Sequence, residues 1–157
     1  MEHHHRRNET AGYSEKYISY IAYFVEEIEN HVNVLYHFME RRKIKGFTLI
    51  LMASENINIR EMIQREKRDT DIIVKHNIEE NRLTVLCQDT KVDGGYYFVK
   101  RVIEKVKKEY GEDVYCSEIS VEKPYYPIVD LVIKSTEMFE KAKSLGDKTE
   151  IQYYTIK

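Results

Sequence analysis

The chain has 157 residues, 42% of them hydrophobic and 33% charged, with a formal net charge of −2. That length supports one domain with a proper core, and the composition is that of a folded globular protein, not a disordered chain. The near-neutral balance gives no basic field for bulk attraction to nucleic acid, and no apolar run reaches the roughly 20 residues of a membrane-spanning helix.

The opening "MEHHHRRNET" lacks the apolar centre of a secretory signal. Its His3-His4-His5 tract reads as a tag-like end. Residues 1–13 are expected to lie outside the fold, too short to hold a sensor domain on that side. Cys87 and Cys116 have no metal-type spacing and fit a reduced, cytoplasmic protein. No metal or cofactor is expected.

Ser14 to about Arg42 reads as one long amphipathic helix within residues 14–45. Ile18, Ile21, Val25, Ile28, Val32, Leu35 and Met39 are spaced alternately by three and four, a heptad seam. Tyr17, Phe24, His31 and Phe38 widen the apolar face. Ser14 is the expected N-cap, and Gly46, after Arg41-Arg42-Lys43, suits the helix end. The seam has two readings, a helix lying on its own sheet or a face for a homodimer or protein partner.

The sheet core is expected over residues 47–157. "FTLILMAS" reads as a strand covered on both faces. Ile59, Met62 and Ile63 mark a short helix. "DIIVKHN" reads as a second buried strand, and "RLTVLCQDT" alternates Leu83, Val85 and Cys87 on one face. Ile78 to Asn81 form the hairpin between them. A helix opens near Asp93, buries Phe98, Val99, Val102, Ile103 and Val106, and stops at Gly111. "DVYCSEISVE" is a strand. Pro127 suits the first turn of the next helix, which carries Ile128, Leu131, Val132, Met138, Phe139 and Ala142. "EIQYYTI" closes the chain as a strand. The expected class is α+β: a ferredoxin-like βαββαβ core with an extra C-terminal helix and strand, behind a long N-terminal helix.

Four segments carry a family resemblance. "FTLILMASEN" is a first strand of the right kind, "RDTDIIVKH" an Arg-x-x-Asp pair before a strand, "NIEEN" a signature position five residues after Asp71, and "FEKAKSLGDKTEI" a closing Ala-Lys-x-x-Gly segment. Together they resemble the GGDEF (diguanylate cyclase) family in degenerate form. "AGYSEKYI" is a weaker echo of that family's lead-in motif.

The resemblance implies the roles. In the family the paired glycines form a tight hairpin under the guanine nucleotide, a shape only glycine permits. Here Asn77, Ile78, Glu79, Glu80 and Asn81 occupy the degenerate signature, and Ile78 puts a branched side chain where the base would rest. The metal aspartate of the first strand matches Ala53, with Glu55 two residues on. Mg²⁺ needs oxygen ligands and phosphoryl transfer depends on it, so the resemblance implies that cyclase activity is lost. The guanine-reading segment of the family is also reduced here to Glu55 to Lys67. Arg68 and Asp71 match the pair that binds cyclic di-GMP in the family, where an arginine fork suits a phosphate or a guanine edge. Lys143 matches a lysine that contacts phosphate.

The expected function is a non-catalytic bacterial signalling or assembly module with cyclic di-GMP as its ligand at Arg68 and Asp71. The alternatives are a dimerisation or protein-interaction scaffold through Ile18 to Met39, and a residual metal-dependent nucleotide hydrolase using Glu55, Glu79 and Glu80. Structural readings stand beside these: Arg68 and Asp71 as a solvated strand entrance, Glu79-Glu80 as a polar hairpin tip, and Lys143 as a last-turn complement to its helix dipole.

Overall fold

The computed structural model describes residues 14–75, 81–145 and 151–157. Helix α1 spans Glu15–Glu40, and Ser14, in extended backbone, caps it by accepting from the Tyr17 N–H at 3.1 Å. The helix does not run on to Gly46. It ends at Glu40 because Arg42 takes the left-handed conformation (φ 60°) that a glycine was expected to supply. Gly46 serves close packing instead: a Cβ there would sit 2.4 Å from the carbonyl oxygen of Val121.

The remaining elements are β1 (Phe47–Ala53), α2 (Arg60–Glu66), β2 (Ile72–Lys75), β3 (Arg82–Gln88), α3 (Val92–Tyr110), β4 (Tyr115–Val121), α4 (Ile128–Ser144) and β5 (Gln152–Ile156). The sheet order is β2-β3-β1-β4-β5. The first four strands in that order are mutually antiparallel, and β5 joins β4 in parallel across the α4 crossover. This is the expected βαββαβ core with one helix and one strand added. Gly111 ends α3 at φ 68° as expected. Pro127 is the residue before α4, not within its first turn. No described helix is long and apolar enough to cross a membrane.

Both sheet faces are covered. Alternation along β1 sends Phe47, Leu49 and Leu51 to the face under α1 and α4, and Ile50 and Met52 to the face under α2 and α3. β2 departs from expectation. It is an edge strand paired only with β3, so Ile72 and Ile73 are half-buried.

The α1 seam is divided, and most of it follows the reading of a helix lying on its own sheet. Ile21, Ile28, Val32, Leu35 and Met39 are buried in the chain's own core, with Phe24 and Tyr36 beside them, and are therefore not free for a partner. Each such burial contributes roughly 1.5–3 kcal/mol. Ile18 is exposed and Val25 half-buried. The Tyr36 hydroxyl donates to the Tyr126 carbonyl at 2.7 Å, tying α1 to the lead-in of α4.

Polar side chains interrupt the apolar filling of the other face at Thr48, Ser120 and Glu118, of which only Glu118 is ionisable. Glu118, central in β4 and opposite Ile50, is 0% exposed, and neither carboxylate oxygen has a hydrogen-bond partner among the described residues. Its Oε1 lies 3.0 Å from where a Cβ on Gly95 would stand, so glycine lets α3 pass over it. Burial, and then the charge of Asp93, push its pKa up to about 8. The carboxyl is therefore mostly protonated at neutral pH.

Candidate functional site

Arg68 and Asp71 fold onto each other across a tight turn. The Arg68 carbonyl accepts from the Asp71 N–H at 3.0 Å, and Asp71 Oδ2 accepts from the Arg68 N–H at 2.9 Å. The guanidinium then reaches Asp71 Oδ1 through Nε at 3.2 Å and Nη2 at 2.9 Å. The same Nη2 approaches the Gln88 carbonyl at 2.8 Å and Thr90 Oγ1 at 2.5 Å. Gln88 Nε2 returns a bond to the Thr70 carbonyl, and Thr48 Oγ1 donates to the Thr90 carbonyl. The pair thus straps the start of β2 to the end of β3 and, through Thr90, to β1.

The two side chains are unequal. Asp71's is 3% exposed, whereas Arg68's is 54% exposed. Asp71 lies beneath and fixes the arginine, and its hydrogen bond holds the guanidinium above its ordinary pKa. The result is a charged planar fork with one edge held by the protein and the rest facing solvent. A fixed fork of this kind can stack on a base or meet a phosphate without ordering itself first.

A second concavity lies at the C-terminal end of β1, about 280 Å³ in volume. The strand register sets Ala53 between Arg82 of β3 and Tyr115 of β4. Ser54, Glu55 and Asn81 form one side, Phe139 and Lys143 of α4 the other. Asn81 Nδ2 donates to the Glu55 carbonyl at 3.3 Å and closes the rim. The Ser54 hydroxyl is buried with no partner among the described residues. Burial and the nearby Glu55 carboxylate push the Tyr115 phenol up.

Arg82 dominates this hollow. Its guanidinium carbon lies 4.7 Å from the Phe139 ring centroid and 5.1 Å from that of Tyr20, and Nη2 meets Glu140 Oε2 at 2.6 Å. The stacking holds a cation beside Ala53. Among the described residues no three His, Cys, Asp or Glu side chains are grouped to hold a metal.

The fold therefore brings Ala53, Glu55, Asn81 and Lys143 to one hollow, and Arg68 with Asp71 to another corner. Asn77, Ile78, Glu79 and Glu80 lie outside the described residues, as does the His3-His5 tract. Sequence reading missed Arg82, Ser54, Tyr115, Gln88 and Thr90. Strand alternation gives the face that Arg82 occupies, but not the two rings that clamp it.

No model of a known protein family matches the sequence. No curated protein matches it either. Solved structures do match. The GGEEF domain of a diguanylate cyclase from Vibrio cholerae aligns with a TM-score of 0.64 at 14% identity, over 82% of this chain and 94% of that one. The GGDEF domain of DgcB from Caulobacter crescentus, solved in complex with c-di-GMP, gives 0.67 at 6% identity, over 80% and 87%. Diguanylate cyclase SiaD from Pseudomonas aeruginosa, solved with its activator SiaC, gives 0.64 at 10% identity, over 81% of this chain and 55% of that one. At these identities the likeness is one of architecture, and the chain has the fold of GGDEF domains.

Proposed function

We propose that this chain is a non-catalytic GGDEF-like signalling module that takes cyclic di-GMP at the Arg68 corner. The carrying observation is the Arg68 guanidinium, held by Asp71, the Gln88 carbonyl and Thr90 while more than half its side chain faces solvent. In this reading Arg68 touches the ligand and Asp71 positions Arg68. Support comes from the fold shared with a domain solved in complex with c-di-GMP.

The non-catalytic half of the proposal rests on the hollow beside β1. A hard dication needs several oxygen ligands. Ala53 supplies none, and the Arg82 guanidinium stands next to it in the register. Lys143 adds a second cation, with Glu55 the one carboxylate on the described wall. The described donors of this hollow do not by themselves fit Mg²⁺.

Calorimetric titration with cyclic di-GMP tests the reading. The native chain should release or absorb heat with a saturable profile, and Arg68→Ala and Arg68→Lys should both lose it, because lysine cannot reproduce the fork. Incubation with GTP and Mg²⁺ should leave the nucleotide intact. Binding that survives in Arg68→Ala, no binding to the native chain, or cyclic dinucleotide formed from GTP would each overturn the proposal.

A further inference from the structure

Helices α1 and α4 leave an apolar groove between them on the solvent side, about 450 Å³ in volume. Tyr17, Ile21, Ala22 and Val25 line one wall and Val129 and Ile133 the other. Ile18 stands on its lip at 57% exposed, and Val129 is 50% exposed. This is the part of the seam that the chain's own core leaves uncovered. From Tyr17 to Val25 it runs about 12 Å, roughly two turns of helix. Open apolar patches of this kind mark interaction surfaces.

Charge around the groove selects the occupant. Glu15 and Glu29 extend the Ile18–Ala22–Val25 stripe at its two ends, three residues before Ile18 and four after Val25. Glu26 follows Ala22 by one turn, and Asp130 adjoins Val129. All four are exposed. Among the described residues, Lys16 lies about 160° around the helix from Ile18, and the Lys134 ammonium sits 4.5 Å from the Tyr154 ring centroid. A second copy of this chain would bring like-charged rims together, which specific interfaces avoid.

We infer that the groove is a docking site for an amphipathic helix of a partner protein, with an apolar stripe flanked by lysine or arginine. The partner's stripe would present anchors at i, i+3, i+4 and i+7 to Ile18, Val25, Val129 and Ile133, while its cations meet Glu15, Glu26, Glu29 and Asp130. This is independent of nucleotide binding at Arg68, which lies in a different corner of the fold.

The test uses the full chain and two designed helical peptides with the same leucine stripe, one flanked by lysines and one by glutamates. Fluorescence anisotropy should show saturable binding of the lysine peptide and binding about tenfold weaker or worse for its twin, with added salt narrowing the gap. Ile18→Asp and Val129→Asp replace exposed side chains, so both should fold, as circular dichroism would verify, and both should lose the peptide. Equal affinity for the two peptides, or binding unaffected by these substitutions, overturns the proposal. So does sedimentation as a dimer that Ile18→Asp dissociates, which would make a second copy the occupant.

Discussion

Replacing Glu118 with glutamine removes an ionisable group from the centre of the sheet while keeping its shape. In the folded chain Glu118 titrates near 8, against an ordinary 4.5. Below about pH 4.5 the carboxyl is protonated both folded and unfolded, and acidity favours neither state. As pH rises from there to 8, the unfolded chain ionises first, so stability falls by about 1.36 kcal/mol per pH unit. Above 8 both states are ionised and the loss stops growing. The full span amounts to about 5 kcal/mol. Glu118→Gln lacks this loss. Its amide adds a constant cost for unpaired donors, which moves the curve without changing its slope. Urea unfolding of both proteins from pH 5 to pH 9 isolates the effect, because every other carboxylate is common to the two and cancels. Between pH 5 and pH 9 about 4 kcal/mol of that span is lost, so the variant should gain on the native chain by about 2 M in midpoint, at an m-value of about 2 kcal/mol per M. Asp93→Asn in the native background should end the fall at a lower pH without changing its slope, since it removes the negative neighbour that adds to burial. A native-to-variant gap that stays constant from pH 5 to pH 9 would refute the reasoning, because Glu118 would then ionise alike in both states.

Three further outcomes follow from the backbone and the core. Gly46→Ala forces a methyl group to within 2.4 Å of the Val121 carbonyl oxygen, so the β1 lead-in must shift. A loss of about 2 kcal/mol or more is expected in urea unfolding, and an unchanged midpoint would show that the contact yields freely. Arg42→Gly relieves a positive φ at a non-glycine residue and should raise stability by about 0.5–1 kcal/mol, whereas a loss would mean that the arginine side chain contributes more than its backbone costs. Burial pushes both the Cys87 and Cys116 thiols up. Iodoacetamide should therefore leave both unmodified in the native protein and label both in urea, as intact mass would report. Prompt labelling of either one in native buffer would show that its side of the sheet opens.

Much of the fold was legible because periodicity carries it. The heptad spacing located α1, the alternation in "RLTVLCQDT" placed Leu83, Val85 and Cys87 on one face, and the order of elements implied the split βαβ arrangement. What spacing could not divide was the seam itself. Val32 is buried and Ile18 exposed because a seven-residue spacing drifts about 20° per heptad around a straight helix, which leaves Ile18 at the solvent edge of the face that packs on the sheet and α4. The Arg68–Asp71 pair was legible as a pair. Its strap to Gln88 and Thr90 was not, since those partners stand twenty and twenty-two residues away across the hairpin. Likewise Arg82 read as an ordinary strand residue, and its clamp of Tyr20 and Phe139 depends on two helices meeting over one face. β2 read as buried because its apolar content is high, yet sheet position, which sequence content does not encode, made it an edge.

The pairing of α1 with α4 has a consequence during synthesis. The Tyr36–Tyr126 bond spans ninety residues of chain, and the rest of the α1–α4 packing spans about as many. At about 5–20 residues per second the ribosome needs roughly 5–20 s between finishing the first helix and finishing the second. For that interval Phe24, Ile28, Val32 and Leu35 have no α4 to cover them, on a helix that alone would be marginal in water. The nascent chain thus offers the apolar stripe of α1 first and its α4 cover nearly last. Nascent chains arrested before Ile128 should be cut by protease within α1, and released full-length chains should resist.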